Sequence, residues 1–207
     1  RAAGSPSSTN ENAWRPRLPT LSSTLPALIL ASQSPARRAL LQKEGVAVTV
    51  RPTWANEEHS LSAADEVVTL LARRKLEAAL SQNGQARLPL LACDTTIAID
   101  GMLIGKPSSI EEARLQLHRL RAGIQEVWSA WVLYQDGSLI GGADVARVRF
   151  KELSDDEIES YLALGEWMGA AGSYRIQGRG TRLIASIEGD ECVVTGLPVR
   201  QMKRVLR

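Results

Sequence analysis

Two arginines stand in the first turn of a sequence-predicted helix, where charge physics disfavours them. The segment Ala31-Ser32-Gln33-Ser34-Pro35-Ala36-Arg37-Arg38-Ala39-Leu40-Leu41 reads as a strand end, a tight turn and a helix start. Ser34 suits the N-cap, Pro35 suits the first helical position, and Gly45 ends the helix. Cations there oppose the helix dipole, at a cost of a few tenths to about 1 kcal/mol each. An anion held between the free N–H groups and the guanidinium groups of Arg37 and Arg38 would reverse the sign. Two solvated arginines on an ordinary helix is the competing reading, and the local sequence leaves both open.

Asp94 follows the apolar run Leu90-Leu91-Ala92-Cys93, which places a carboxylate at or near the end of a buried strand. Ligands of open α/β sheets bind at that end, so Asp94 is read as functional rather than as a turn cap. Thr95 and Thr96 offer hydroxyls beside it. Gly105-Lys106-Pro107 carries a lysine in an extended segment, because Pro107 biases Lys106 away from helix. From Gly101 to Lys106 the spacing is one residue short of a phosphate-binding P-loop, and Pro107 stands where that motif needs Ser or Thr. Lys106 is then either a point charge for a phosphate or a solvated loop lysine.

Glu57 and Glu58 precede a long helix. Beside Asp94, one of them would hold a divalent cation through oxygen; by itself the pair is a solvated acidic turn. Lys75 shares its helix with Arg73 and Arg74, and two of these three belong on a solvated face. Gln177 lies in a glycine-rich loop, and its amide can both donate to and accept from a base edge. Cys93 reads as a small core residue, and no Gly-x-Ser-x-Gly elbow is present. With only His59 and His118, a His/Cys zinc site is not expected.

These residues need positioning elements. Strands are predicted at 27–31, 46–51 and 90–99, the last of them central. Helices are predicted at 35–44 and about 63–80, the second capped by Ser62. Asp100-Gly101 is a turn signal, and Ser109 to Glu112 is a capping box for a helix reaching Leu120. Segments 126–134 and 139–150 flank Asp136-Gly137 as a hairpin. A second capping box, Ser154 to Glu157, opens a helix ended by Gly165. The last third is glycine-rich loop, with one strand near 182–187 and a final helix from Pro198. Helices and strands alternate before a long hairpin, which predicts an α/β fold with a mixed sheet and a ligand cleft between two lobes.

The 207 residues suffice for such a domain, 26–207, and 44% hydrophobic content can fill its core. Residues 1–25 read as a flexible tail rich in Ser, Pro, Ala and Asn. With Arg1, Arg15 and Arg17 against the single acid Glu11, a targeting remnant and an appended sequence fit that tail equally. A net charge of +2, scattered arginines and 4% aromatics argue against nucleic acid as partner. No apolar run approaches the ~20 residues of a membrane span. Cys93 and Cys192 form no disulfide framework, which fits a reducing, cytoplasmic setting.

Eight ordered blocks resemble the Maf family of nucleoside triphosphate pyrophosphatases across about 27–205. They are Leu30-Ala31-Ser32-x-Ser34-Pro35-x-Arg37; Glu57; Leu71-Ala72-x-x-Lys75; Asp94-Thr95; Asp100-Gly101 with Gly105-Lys106-Pro107; Tyr161 with Gly165-Glu166; Ala171-Gly172-x-Tyr174-x-Ile176-Gln177-Gly178; and Gly196-Leu197-Pro198. The resemblance implies the Maf/ITPase-like fold, a partly parallel twisted sheet flanked by helices, and a homodimer. It implies hydrolysis between the α- and β-phosphates, giving a monophosphate and pyrophosphate, with Mg²⁺ or Mn²⁺. Asp94 would be the general base, and Glu57 would help hold the metal with Asp94 or orient the water. Ser32, Ser34, Arg37, Lys75 and Lys106 would bind the triphosphate.

The family's specificity positions fall on Ala36, Thr95 and Gln177. Thr95 and Gln177 resemble the subfamily acting on dTTP and UTP, so those nucleotides and modified pyrimidine relatives are the expected substrates. Ala36 departs from the Arg or Trp usual there. Asn56 stands for the usual Asp, Gly169-Ala170 for an Asp-Lys pair, and Val193 for a frequent Asn. A 7-methyl-GTP or broad-specificity pyrophosphatase is the second enzymatic reading. A nucleotide-binding regulator of septum formation with little turnover is the third, and intact Asp94, Glu57 and Lys106 argue against it.

Overall fold

The computed structural model describes residues 20–83 and 87–206. Most of the expected tail, and the loop glycine Gly84, lie outside the described residues. Residues 20–25 do not belong to a tail. Leu21–Ser23 form a single 3₁₀ turn, and Leu21 and Leu25 are buried in the core. Burial of two leucines outweighs the polar composition around them. Leu25→Ala is expected to destabilise the fold by roughly 2–4 kcal/mol, read by urea denaturation.

In chain order the main elements are β1 (Ala27–Leu30), α1 (Pro35–Lys43), β2 (Ala47–Val50), α2 (Ala64–Asn83), β3 (Leu90–Ile99), β4 (Met102–Ile104), α3 (Ile110–Leu120), β5 (Ile124–Gln135), β6 (Ser138–Phe150), α4 (Asp155–Leu162), β7 (Ile184–Glu188), α5 (Glu191–Thr195) and α6 (Val199–Val205). Local chemistry explains the helix starts. The hydroxyls of Ser34, Ser109 and Ser154 each accept a first-turn amide. The box at Ser154 closes fully. At Ser109 it closes by half, because Glu112 turns to the amide and hydroxyl of Ser108, two donors in place of one.

Among the described residues, seven strands form one mixed sheet in the order β2-β1-β3-β5-β6-β7, with β4 on the free side of β3. β1 pairs in parallel with β2 and β3, and every other pairing is antiparallel. Strand periodicity sorts the core. Leu90, Ala92, Ala130 and Val132 face α2, in a cluster with Val68, Ala72 and Leu76. Leu91, Cys93, Trp131 and Leu133 face α1 and α6. Further along, Ile97, Ile99, Val127 and Phe150 pack with α3 and α4 in a second lobe.

The central strand carries a gap. β1 pairs with β3 at Leu90 and Leu91, and β4 pairs with it from Ile97 to Ile99. Between these, β3 keeps β5 on one side and opens its other edge to the loops after β1 and β4. Asp94 and Thr95 lie in that gap. Being adjacent on a strand, they face opposite sides of the sheet.

Candidate active site

On the α2 side, Asp94 is buried and meets the Lys75 ammonium. The same ammonium reaches Glu57 Oε1 at 2.7 Å, so one lysine joins a carboxylate from the central strand to one from the β2–α2 loop. Burial raises the pKa of Asp94, against the opposing pull of Lys75 and Arg37. The hydrogen bond from Lys75 lowers that of Glu57, and Lys106 and Arg37 add to the effect. Burial works against the charge on Lys75, but Asp94 and Glu57 outweigh it and raise its pKa. Two carboxylates on one cation are thus driven apart, one more basic and one less.

The loop holding Glu57 is fixed from below. Arg74 donates from Nη1 to the carbonyls of Asn56 and Glu58 at 3.1 and 2.6 Å. Asn56 Oδ1 accepts the Glu58 amide at 2.8 Å, a turn-forming bond that Asp would make equally well. Arg74, one of the three cations of which two were expected on a solvated face, is partly exposed yet holds this loop rather than extending freely into solvent. Helix periodicity does not reveal this, because its acceptors lie 16 and 18 residues away.

On the other side of the sheet, Arg37 does not fan outward from the start of α1. Its Nε donates to Gly196 O at 2.8 Å, its Nη1 to Ser32 Oγ and Cys93 O at 3.1 Å each, and its Nη2 to Thr95 Oγ1 at 2.9 Å. Four of the five guanidinium N–H groups are committed, leaving one on Nη2. The bond to Cys93 O satisfies the open edge of β3. This is why a cation is tolerated in the first turn, while Arg38 beside it is exposed. The Thr95 hydroxyl lies 2.8 Å from Ser129 Oγ, which in turn donates to Val193 O at 2.8 Å. Since each hydroxyl has one proton, the chain runs Arg37 to Thr95 to Ser129 to Val193. Ser129, on β5, carried no sequence signal, and Gly196, at the end of α5, stood only in a family block, with nothing to mark its carbonyl as a partner of Arg37.

Ser34 Oγ caps α1, and Ser32 Oγ accepts from the Ser34 amide as well as from Arg37, so both serines shape the loop after β1. Lys106 is exposed in the loop after β4, near enough to Glu57 to act on its charge. Ala36 is half-buried in the first turn of α1. Gln177 is exposed on the loop after α4 and joins neither bonded group. Its loop is nevertheless held firmly. Both Glu166 carboxylate oxygens accept the Arg179 amide, at 2.9 and 3.1 Å, and Tyr161 Oη accepts the Arg175 amide. A Cβ at Gly178 would fall within 2.7 Å of the Glu166 carboxylate and push it off the Arg179 amide.

The donor set fits a hard cation. Glu57 and Asp94 present carboxylate oxygens around a point already occupied by a positive group. Among the described residues no cluster of three or more His, Cys, Asp or Glu exists for an all-protein cage. One or two carboxylates completed by substrate phosphate is the usual arrangement for Mg²⁺.

Curated relatives align over most of the chain. The "dTTP/UTP pyrophosphatase" of Pyrococcus abyssi is 36% identical over 87% of this chain and 95% of its own length. That of Methylococcus capsulatus is 39% identical, covering 87% and 89%. The "Nucleoside triphosphate pyrophosphatase" of a Synechococcus strain is 35% identical, covering 88% and 94%. A family model described as Maf-like protein matches residues 27–207, from the first strand through the last helix, and the chain belongs to that family.

Proposed function

We propose that this protein hydrolyses nucleoside triphosphates to monophosphate and pyrophosphate, with dTTP and UTP as preferred substrates. The observation that supports it most is geometric: a buried strand carboxylate, Asp94, and a loop carboxylate, Glu57, meet at one Lys75 ammonium. Asp94, made more basic by burial, takes the proton of the attacking water. As that oxygen bonds to phosphorus, the α–β anhydride breaks and pyrophosphate leaves. Glu57 stays ionised. Glu57 and Asp94 would hold Mg²⁺ or Mn²⁺, which when bound neutralises phosphate charge. Lys75 has one N–H left after its two carboxylates, and Lys106 and the free Nη2 proton of Arg37 add positive charge nearby. The serine hydroxyls of residues 32 and 34 line the same loop.

Ala36, Thr95 and Gln177 are the proposed base-reading positions. Thr95 already accepts from Arg37, so its contribution to base choice is restricted to its remaining lone pair. The names of the relatives support dTTP and UTP, the family resemblance supports a homodimer, and the two free cysteines support a reducing, cytoplasmic setting. No helix among the described residues is long and apolar enough to cross a membrane.

The test is pyrophosphate release from dTTP, UTP, CTP, GTP, 7-methyl-GTP, ATP and dITP with Mg²⁺ or Mn²⁺. Release led by dTTP and UTP is expected. A lead for 7-methyl-GTP would overturn the substrate and keep the mechanism. No release with any nucleotide would leave nucleotide binding as the function.

A further inference from the structure

The buried polar side chains among the described residues are Asp94, Gln116, Gln125, Ser129 and Ser173. Burying such groups is costly unless they are bonded, so their placement needs a reason. Asp94 and Ser129 belong to the site above. The other three converge on one turn, Gly172–Tyr174. Gln116, from the inner face of α3, accepts from Ser173 Oγ at 2.6 Å and donates from Nε2 to Gly105 O at 3.3 Å. The Gly172 amide points to the same Gly105 carbonyl at 3.4 Å. Gln125 Nε2 donates to Tyr174 Oη.

The turn itself is strained. Gly172 and Ser173 are consecutive residues in the left-handed region, at φ 70° and 63°. Glycine tolerates this, while serine does so only when its surroundings hold it there. The Ser173 amide donates to Ala170 O at 3.0 Å, and the bond from its hydroxyl to Gln116 adds the side-chain restraint. One amide side chain thus joins the carbonyl just before Lys106 to the loop that carries Gln177, between segments 68 residues apart (Gly105 and Ser173).

We propose that Gln116 is a positioning residue, and that together with the direct Gly172–Gly105 bond it makes the Lys106 segment and the Gln177 loop one mechanical unit. The role in turnover rests on the hydrolase reading; the coupling does not. Gln116 contacts no substrate. It fixes the phosphate-facing lysine relative to the base-facing loop, so loosening either loosens both.

The experiment uses the full chain with Gln116→Leu and Ser173→Gly. Gln116→Leu removes both bonds at similar volume. Ser173→Gly removes one bond and relieves the positive φ, so it is expected to fold as well as the parent. In both variants KM for dTTP is expected to rise, by about tenfold for Gln116→Leu, with kcat within about threefold. Amide hydrogen exchange is measured without nucleotide. Ser173→Gly is expected to speed exchange in 104–108 as well as in 172–178, although Ser173 does not bond to the first segment. A purely structural role predicts normal KM in a well-folded Ser173→Gly variant, and that result overturns the positioning role. Faster exchange confined to 172–178 overturns the coupling. Should the parent release no pyrophosphate, the hydrolase reading fails by itself, and the exchange result alone decides the coupling.

Discussion

Asp94→Asn is expected to lower kcat by about 10²–10⁴-fold while nucleotide affinity changes little. Asn keeps the shape and an oxygen for Lys75, but it cannot take a proton from water. Folding should survive, because Lys75 retains Glu57 as its partner. The parent's pH profile checks the same assignment. Asp94 must be ionised to act, and burial holds its pKa above the ordinary aspartate value. In the metal-free protein Asp94 should therefore titrate above the usual range for aspartate, and a divalent cation held by Glu57 and Asp94 should draw the acidic limb of kcat/KM down from that position. Lys75 does not produce an alkaline limb near neutrality, because its pKa is raised and it stays charged there. Single-turnover kinetics separate the chemical step from binding. Full turnover by Asp94→Asn would remove the general base from the mechanism.

Lys75→Met is the second large effect, and it acts on both stability and rate. Removing the ammonium leaves a buried carboxylate beside a half-exposed one with no bridging charge. Breaking a buried pair costs about 3 kcal/mol or more, and the partial exposure of Glu57 keeps this case near the low end. The sign of its pH dependence follows from Asp94. Lys75 lowers the Asp94 pKa, so its loss raises a folded-state value already above the unfolded one. A group raised in this way stabilises the fold below its unfolded pKa, and that stabilisation is lost as pH rises through the folded pKa. Relative to the parent, Lys75→Met should be least impaired near about pH 4 and most impaired near about pH 8, as read by urea denaturation. Turnover should fall by about 10²–10³-fold, as for removal of one preorganised donor from a charged transition state. Its remaining acidic limb should move to higher pH. A Lys75→Met protein as stable at pH 8 as the parent would show that the bridge carries no structural load.

The local grammar of the fold was legible in residue order. Serine caps at Ser34, Ser109 and Ser154, the Asp-Gly turns at 100–101 and 136–137, and the apolar run before Asp94 act within a few residues of themselves. They fixed the first helix, the long hairpin and the central strand close to their observed bounds. Besides the 3₁₀ turn at Leu21–Ser23, two short sheet and helix elements escaped this reading. β4 has three residues and α5 has five, too few to show a period, and each exists because a neighbour supplies its pairing or packing.

The candidate site divides in the same way. A carboxylate after a buried run and a cation at a helix start are local anomalies that singled out Asp94 and Arg37, while Glu57 and Lys75 were singled out by the family blocks. Their partners were not legible. Arg37 bonds to a carbonyl 159 residues away, Arg74 holds a loop on another element, and Gln116 reaches Ser173 across the second lobe. Sequence alone therefore determined which residues were under chemical tension, since propensity and the helix dipole act over a single turn. Tertiary structure decided how each tension is relieved. Only the assembled sheet sets which edge of β3 stays open, which faces Asp94 and Thr95 take, and which distant carbonyls come within hydrogen-bonding reach.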